Sequence, residues 1–201
     1  FGAADVVTGQ SIPILTGMLE HHITADVAWG VWLYYKATGD DDFMERCGCE
    51  LLVDTARFWA SRLEWKKDAD HYEICNVIGP DEYKEHVDNN AFTNYLAAEN
   101  LRVASLVIGR MPQAWPRAWA ALGARYDLAA LAEEFEQKRQ KLYLPGPRAE
   151  DGLVPQNDQY LNLTPVDLTR YKAQQGVSSI YEDYSPAQMN QLMVSKQADL
   201  V

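Results

Sequence analysis

The sequence has few basic side chains and few cysteines. Lys and Arg together number 18 against 29 Asp and Glu, which gives a net charge of −11 at pH 7. Because nucleic acids and anionic membranes are usually bound by basic surfaces, this balance argues against both kinds of partner. The three cysteines, Cys47, Cys49 and Cys75, cannot all pair within one chain. We expect all three to be reduced thiols in a cytoplasmic protein.

The sequence also lacks the motifs of several common functional classes. It contains no apolar run of about 18 residues and no basic-then-apolar leader, and so predicts neither a membrane span nor a signal peptide. It contains no phosphate-binding glycine loop, dinucleotide-binding glycines or nucleophile elbow. The adjacent His21 and His22 have no further histidine at ligand spacing, and the aspartates at 40–42 are better explained as a helix start. We therefore predict no metal site.

The chain does contain enough apolar material for one domain with a substantial core. Of its 201 residues 47% are hydrophobic, and it carries 6 Trp and 11 Tyr, which excludes a disordered tail. Apolar residues recur at helical intervals, and few segments alternate as strands do. We predict an all-α chain built from helical hairpins.

Capping and turn signals set the predicted helix boundaries. Thr24 is the predicted cap of a helix over 25–37, Gly39 ends that helix, and 40–42 start the next one, which runs to about residue 65. The further predicted helices cover 89–109, 114–122, 128–142 and 186–199, with Asp127 as the predicted cap of the third. Short strands are predicted at 11–15 and 72–77. The aromatic side chains assigned to the core, with stacking on a sugar as the alternative, are Trp29, Trp32, Trp59 and Trp65.

One stretch, residues 77–102, concentrates groups that can carry charge or a proton. A Gly79-Pro80 turn opens it, and the following residues include Asp81, Glu82, Lys84, Glu85 and His86. Residues 88–90 are the predicted start of a helix, because short Asp and Asn side chains accept from the free amides of a first turn. A carboxylate-rich turn that leads into a helix suits an active-site loop, although a solvated surface turn has the same composition.

The sequence GPDEYKEHVDNN, followed by AFTNYLAAENL, closely resembles the signature of the disaccharide phosphorylases of glycoside hydrolase family 65, which include maltose, trehalose and kojibiose phosphorylases. The stretch IPILTGMLEHHITADVAWGVWLYYKATGD and the later KQADLV are similar to that family too. The resemblance implies that residues 1–201 form part of an (α/α)6 barrel. The N-terminal β-sandwich and the C-terminal parts of the family would lie outside this chain. The sequence departs from the family at Lys84, where His is usual, and in the loop 151–160.

The resemblance also implies roles for single residues. The glutamate after Gly-Pro-Asp is the family's general acid, which implies that role for Glu82. The Lys-Gln pair of the family binds glucose, which implies sugar binding by Lys196 and Gln197. His86 and Asn90 stand beside Glu82 in the motif and are candidate substrate-binding residues, which would orient the acid or the sugar. Asn89 could simply cap the helix.

The implied reaction is phosphorolysis with inversion, giving β-glucose 1-phosphate and a sugar. It requires one protein carboxyl group, because phosphate is itself the nucleophile. The partners implied are thus a disaccharide and inorganic phosphate, with no metal or organic cofactor, and a homodimer is left open. The second candidate is an inverting α-glucoside hydrolase of the same family, such as an α,α-trehalase or a kojibiose hydrolase, with a base carboxylate in the missing C-terminal part. A helical scaffold that works by contacts alone is the third. No role is assigned to Glu20, His21 or His22.

Overall fold

The computed structural model describes residues 2–5, 8–172 and 180–200, and most of them are helical. The helices are α1 (Thr16–Leu19), α2 (His22–Thr38), α3 (Asp41–Phe43), α4 (Cys49–Arg62), α5 (Ala91–Ala114), α6 (Pro116–Gly123), α7 (Leu128–Lys141), α8 (Thr169–Lys172) and α9 (Pro186–Met189). A π-helical turn, Met44–Gly48, joins α3 to α4. The predicted all-α class is confirmed. Within the described ranges, no helix is both long and apolar enough to cross a membrane.

Within the described residues the strands are short, and each pairs with one other strand. They are β1 (Gly2–Ala4), β2 (Ser11–Pro13), β3 (Glu64–Lys66), β4 (His71–Glu73), β5 (Thr164–Pro165) and β6 (Leu192–Met193). The pairs β1–β2 and β3–β4 are antiparallel, and β5–β6 is parallel. The β3–β4 hairpin matters most for the site, because the chain leaves β4 directly toward the glycine-proline turn at residue 79.

Three of the predicted helix signals are confirmed by the backbone. Gly39 ends α2 in the left-handed conformation, at φ 65°. The side chain of Asp40 accepts from the amide of Phe43 at 2.9 Å, and that of Asp127 accepts from Ala130 at 3.1 Å. Each aspartate thereby satisfies an amide that the first helical turn cannot pair internally.

One predicted helix start and one predicted helix end were wrong. Helix α2 begins at His22, and the Thr24 amide already donates to the carbonyl of His21 at 3.0 Å, so Thr24 lies inside the helix rather than capping it. Helix α5 continues through Pro112 to Ala114. Proline removes a single hydrogen bond there, in the last turn of a long helix, which makes its cost small enough to tolerate.

The predicted helix over 186–199 was wrong for most of its length. Helix α9 ends at Met189, and Leu192 and Met193 form β6 against Thr164 and Pro165. Beyond β6 the chain is irregular, because its polar groups bond to residues far away in sequence, as described for the site below. Trp65 likewise lies in β3, beyond the end of α4.

Helix α5 forms the centre of the fold and packs against α2, α4 and α7. The helical spacing of Phe92, Tyr95, Leu96, Val103, Leu106 and Val107 predicts one apolar face, but Tyr95 and Leu106 are 45% and 42% exposed, so the buried face is shifted from that prediction. The buried positions include small and polar residues, namely Ala97, Ala98, Ala104, Asn94 and Asn100. Small side chains allow the neighbouring helices to approach closely, which the apolar pattern alone does not reveal.

Of the four tryptophans assigned to the core, two are buried and two are not. Trp32 and Trp59 are buried among α2, α4 and α5, as predicted. Trp29 and Trp65 are 37% and 43% exposed, so their assignment to the core was wrong. Trp65 instead packs edge-on against Tyr72, with the two ring centres 4.8 Å apart, on the β3–β4 hairpin.

We predict that Leu101→Ala destabilises the protein by about 2–5 kcal/mol, because Leu101 is fully buried in α5 and its loss leaves a cavity. Leu106→Ala, on the exposed face of the same helix, is the matched control and should cost less than about 1 kcal/mol. Denaturant unfolding of both variants measures the two values. Equal losses would contradict the burial of α5 described here.

Candidate active site

The residues between 77 and 90, called here the acid loop, form a closed structural unit. Val77 and Val87 exchange backbone hydrogen bonds of 2.9 Å in each direction and so bring its two ends together. Asn76, His86 and Asn89 take positive φ angles of 55°, 57° and 51°. Asn and His tolerate this left-handed region better than most residues, which allows the sharp reversals at the loop's ends.

The structure brings together two of the residues predicted from the resemblance. The Nζ atom of Lys196 lies 3.0 Å from Oε2 of Glu82, although 114 positions separate them. The two side chains are 42% and 36% exposed, so a ligand can reach both. The backbone amide of Lys196 donates to Oδ1 of Asp81 at 2.9 Å, which fixes the lysine beside the acid loop.

Beneath the surface, four buried residues support the contact between Lys196 and Glu82. They are called here the clamp: Asp81, Asn90, Gln156 and Asp199. Oδ1 of Asp199 accepts from the amide of Asp81 at 2.6 Å, and its other oxygen accepts from Nδ2 of Asn90. Nε2 of Gln156 donates to Oδ2 of Asp81 at 3.1 Å. The clamp thus joins the acid loop, the start of α5, the loop 151–160 and the segment 195–200.

Gly79 is required by the closeness of the clamp. A Cβ atom at this position would lie 2.6 Å from Cγ of Asn90 and 2.7 Å from Oδ2 of Asp199. Both neighbours are buried and hydrogen-bonded to each other, so neither can move aside cheaply. The glycine in the motif therefore serves close approach rather than an unusual backbone angle.

Lys84, the departure from the family pattern, is fully engaged inside the protein. It is only 2% exposed, and its Nζ donates to the carbonyls of Met189 at 2.8 Å and Val194 at 3.0 Å. Burial lowers the pKa of this amine, and the charge of Asp81 opposes that effect. Lys84 thereby fastens the segment that leads to Lys196 onto the acid loop.

The remaining predicted site residues lie in different surroundings. The His86 ring is exposed, with Nδ1 2.7 Å from Oδ1 of Asn76. Gln197 is exposed, and its side chain makes no hydrogen bond to the part of the chain that the structure describes. Asn90 caps α5, where its Oδ1 accepts from both the amide and the hydroxyl of Thr93. Capping by Asn89 was wrong, since its Nδ2 bonds Asp158 at 2.8 Å instead.

The loop 151–160 supplies contacts that nothing in its sequence marks. Besides Gln156 of the clamp, Oε1 of Gln159 accepts from the amide of Asp88 at 3.2 Å. Burial raises the pKa of Asp158, and the hydrogen bond from Asn89 acts in the opposite direction. These partners lie some 70 positions from the acid loop, so no local spacing connects them.

The Glu20-His21-His22 run lies close to the acid loop. The carbonyl of Leu19 accepts from the amide of Ile78 at 3.0 Å. His21 uses both ring nitrogens, at 2.9 Å from the carbonyl of Met18 and 3.2 Å from Nε of Arg62. His22 is buried edge-on to Phe92, and burial lowers the pKa of both histidines. The described residues contain no His, Cys, Asp and Glu cluster suited to a metal ion.

We predict that Gly79→Ala destabilises the protein by about 1–3 kcal/mol, because the new methyl group forces Asn90 and Asp199 apart. Gly146→Ala is the control, since a Cβ atom there meets nothing within 4 Å. The control should stay within about 0.5 kcal/mol of the wild type. Denaturant unfolding measures both, and a harmless Gly79→Ala would contradict the packing of the clamp.

We also predict that Asp199 makes stability depend on pH. Burial raises the pKa of Asp199 to about 6, although the hydrogen bonds from Asn90 and from the amide of Asp81 oppose the shift. The folded state then holds this proton more tightly than the unfolded chain does. The resulting stability is complete below about pH 4 and is lost as the pH rises through about 6, on the order of 3 kcal/mol in all.

Asp199→Asn cannot titrate and supplies the comparison. The difference in unfolding free energy between wild type and variant should shift against the wild type between pH 4 and pH 7. Both proteins are measured by denaturant unfolding across that range, so the other acids cancel. A difference that is the same at both pH values would contradict the prediction.

Comparisons with known proteins identify the family of the chain. Residues 2–201 match the model of the glycosyl hydrolase family 65 central catalytic domain. The chain is similar to a kojibiose phosphorylase of Halothermothrix orenii, 40% identical over 100% of this chain and 26% of that protein. It is also similar to a kojibiose hydrolase of Flavobacterium johnsoniae, 45% identical over 59% of this chain and 17% of that protein.

A solved protein from the human microbiome, provisionally named a kojibiose phosphorylase, has the same fold. It superposes with a TM-score of 0.72 over 88% of this chain and 24% of its own, at 24% identity. This likeness supports the predicted fold, part of an (α/α)6 barrel. The chain spans about a quarter of the length of the kojibiose phosphorylase of Halothermothrix orenii. With the family model matching all but one of its residues, the chain belongs to glycosyl hydrolase family 65 and forms part of the central catalytic domain.

Proposed function

We propose that the protein to which this chain belongs is a disaccharide phosphorylase with Glu82 as its general acid. The reaction is inverting phosphorolysis of an α-glucosidic disaccharide to β-glucose 1-phosphate and a free sugar. The observation that carries the proposal is the contact of Glu82 with Lys196, 3.0 Å apart and both open to a ligand, on a loop held by the buried clamp. The similarity to a kojibiose phosphorylase supports the reaction class and makes kojibiose the first substrate to test.

In the proposed reaction Glu82 donates a proton to the leaving sugar. As the glycosidic bond lengthens, the leaving oxygen gains negative charge and takes the proton of the Glu82 carboxyl group. The phosphate oxygen forms the new bond from the opposite face of the ring, which inverts the anomeric carbon. One protein carboxyl group is then sufficient. The residues that hold phosphate would lie outside this chain.

Lys196 has the capacity to couple the acid to the sugar. Its ammonium group has three donors, one of which points to Glu82, so two remain for sugar hydroxyls. Gln197, exposed next to it, is the second proposed sugar contact. A sugar bound by this pair would lie beside the carboxyl group that must protonate it.

We assign Asn90 a positioning role instead of the predicted sugar contact. Its amide donates to Asp199 and to the carbonyl of Gln156, and its oxygen accepts twice from Thr93. No donor or acceptor of the side chain is left for a ligand. A sugar contact by His86 remains a proposal that rests on the motif alone.

The second candidate is an inverting hydrolase, which the similarity to a kojibiose hydrolase favours. A hydrolase needs a second carboxylate to activate water on the far face of the sugar. A cytoplasmic location would fit the phosphorylase better, because a sugar phosphate conserves the energy of the bond only inside the cell.

The deciding experiment incubates the full-length protein with kojibiose, trehalose, nigerose and maltose, with and without phosphate. We expect β-glucose 1-phosphate to form only when phosphate is present, with kojibiose cleaved fastest. Equal release of glucose without phosphate would establish the hydrolase. A folded protein that acts on none of the four sugars would support the scaffold.

We predict that Glu82→Gln lowers kcat on the disaccharide by about 10²–10⁴-fold, because the amide cannot supply the proton. Glu85→Gln, in the same loop, is the matched control and should keep activity within about threefold. With α-glucosyl fluoride and phosphate, Glu82→Gln should regain most of its rate, since fluoride leaves with little protonation. Equal loss on both substrates would overturn the general-acid role.

A further inference from the structure

Glu20 is fixed at the entrance of the acid loop although it lies 62 positions before Glu82 in sequence. It follows α1 directly, and its own amide donates to the carbonyl of Thr16 at 3.0 Å. The neighbouring carbonyl of Leu19 accepts from Ile78, the residue before Gly79. The backbone on both sides of the site is therefore tied together at this point.

The side chain of Glu20 has an unmet bonding capacity. Its Oε1 is buried and has no hydrogen-bond partner among the described residues. Buried carboxylate oxygens nearly always accept hydrogen bonds, because removal from water without a donor is costly. A bare oxygen of this kind in a folded protein requires an explanation.

The charges around Glu20 place it in the same site as the acid. Burial raises the pKa of Glu20, the negative charge of Glu82 raises it further, and the positive charge of Lys196 lowers it. The Nζ of Lys196 is directed to Glu82. Both nitrogens of the adjacent His21 bond elsewhere, to Met18 and Arg62. Neither Lys196 nor His21 donates a hydrogen bond to Oε1 of Glu20 in the described protein.

We propose that Glu20 is a further substrate-binding residue, whose free carboxylate oxygen accepts a hydrogen bond from a hydroxyl of the disaccharide that binds beside Glu82 and Lys196. The proposal rests on the disaccharide-cleaving function proposed above. A sugar hydroxyl is a neutral donor and suits a partly buried carboxylate. A phosphate anion does not suit it, because it would face the negative charges of Glu20 and Glu82 together. Glu20 would therefore bind the sugar and not the phosphate.

The test uses Glu20→Gln and Glu20→Ala in the full-length protein, acting on whichever disaccharide the wild type cleaves fastest. We expect kcat/KM to fall by about 10- to 100-fold in both, since charged hydrogen bonds to a substrate are strong. Glu133→Gln, whose carboxylate pairs with Gln137 on the surface, should leave kcat/KM unchanged.

The melting temperature separates binding from structure. Without ligand at pH 7, Glu20→Gln should melt at the wild-type temperature or above it, because the variant no longer buries a charge. The rise in melting temperature on adding the disaccharide should be smaller than in the wild type. If Glu20→Gln lowers both the ligand-free melting temperature and the activity, the role of Glu20 is structural and the proposal is overturned.

Monodeoxy disaccharides identify the hydroxyl. Removing the bonded hydroxyl from the sugar should lower kcat/KM of the wild type by the same factor as the Glu20→Gln substitution does on the complete sugar. In Glu20→Gln, removing that hydroxyl should lower kcat/KM almost no further. If kcat/KM of Glu20→Gln is lower than that of the wild type by the same factor on every deoxy sugar, Glu20 does not bind a hydroxyl. The proposed function is tested by the activity of the wild type alone. The role of Glu20 is tested by the ratio of kcat/KM between variant and wild type, so the two can fail independently.

Discussion

The candidate site depends on one buried interaction, the bonding of the Asp199 carboxylate to the Asp81 amide and to Asn90. Two carboxyl groups lie close together there, with donors from the backbone, Asn90 and Gln156 arranged between them. Without those donors the like charges would repel each other in a medium of low dielectric constant. Because every donor is already in place, the acid loop is held before any ligand arrives. Such preorganisation is what proton transfer to a leaving group requires.

The same interaction connects the site to the core. Asn90 is both a member of the clamp and the cap of α5, so the helix that organises the hydrophobic core begins at the residue that holds the acid loop. A substitution deep in α5 can then affect the loop through the position of its first turn. Lys84 supplies a second attachment, separate from the clamp. The longer side chain finds the carbonyls of Met189 and Val194, so its burial strengthens the attachment of the segment that carries Lys196.

Local signals in the sequence predict much of the fold. Gly39, Asp40 and Asp127 end or start helices through contacts within three or four residues, which a sequence displays directly. Proximity of Glu82 and Lys196 was suggested only by the resemblance to a family. Oε1 of Glu20 has no hydrogen-bond partner in the described protein, so no pattern in the sequence marks it. The roles of Asp199 and Gln156 could not be found from local patterns, because their clamp partners lie 66 to 118 positions away. The helix predicted over 186–199 failed for the same reason, since its polar groups bond at long range instead of within a helix.

The distance along the chain between Glu82 and Lys196 has a consequence for the protein during synthesis. The helices of the core make many contacts with near neighbours and can form early, whereas the pairing of Glu82 with Lys196 must await 114 further residues. At typical rates of translation this delay is on the order of ten seconds. During that interval Asp81 and Asn90 have no Asp199 to bond. Glu82 is therefore synthesised early, whereas Lys196 and Asp199, which hold it and its loop in place, are added only after this interval.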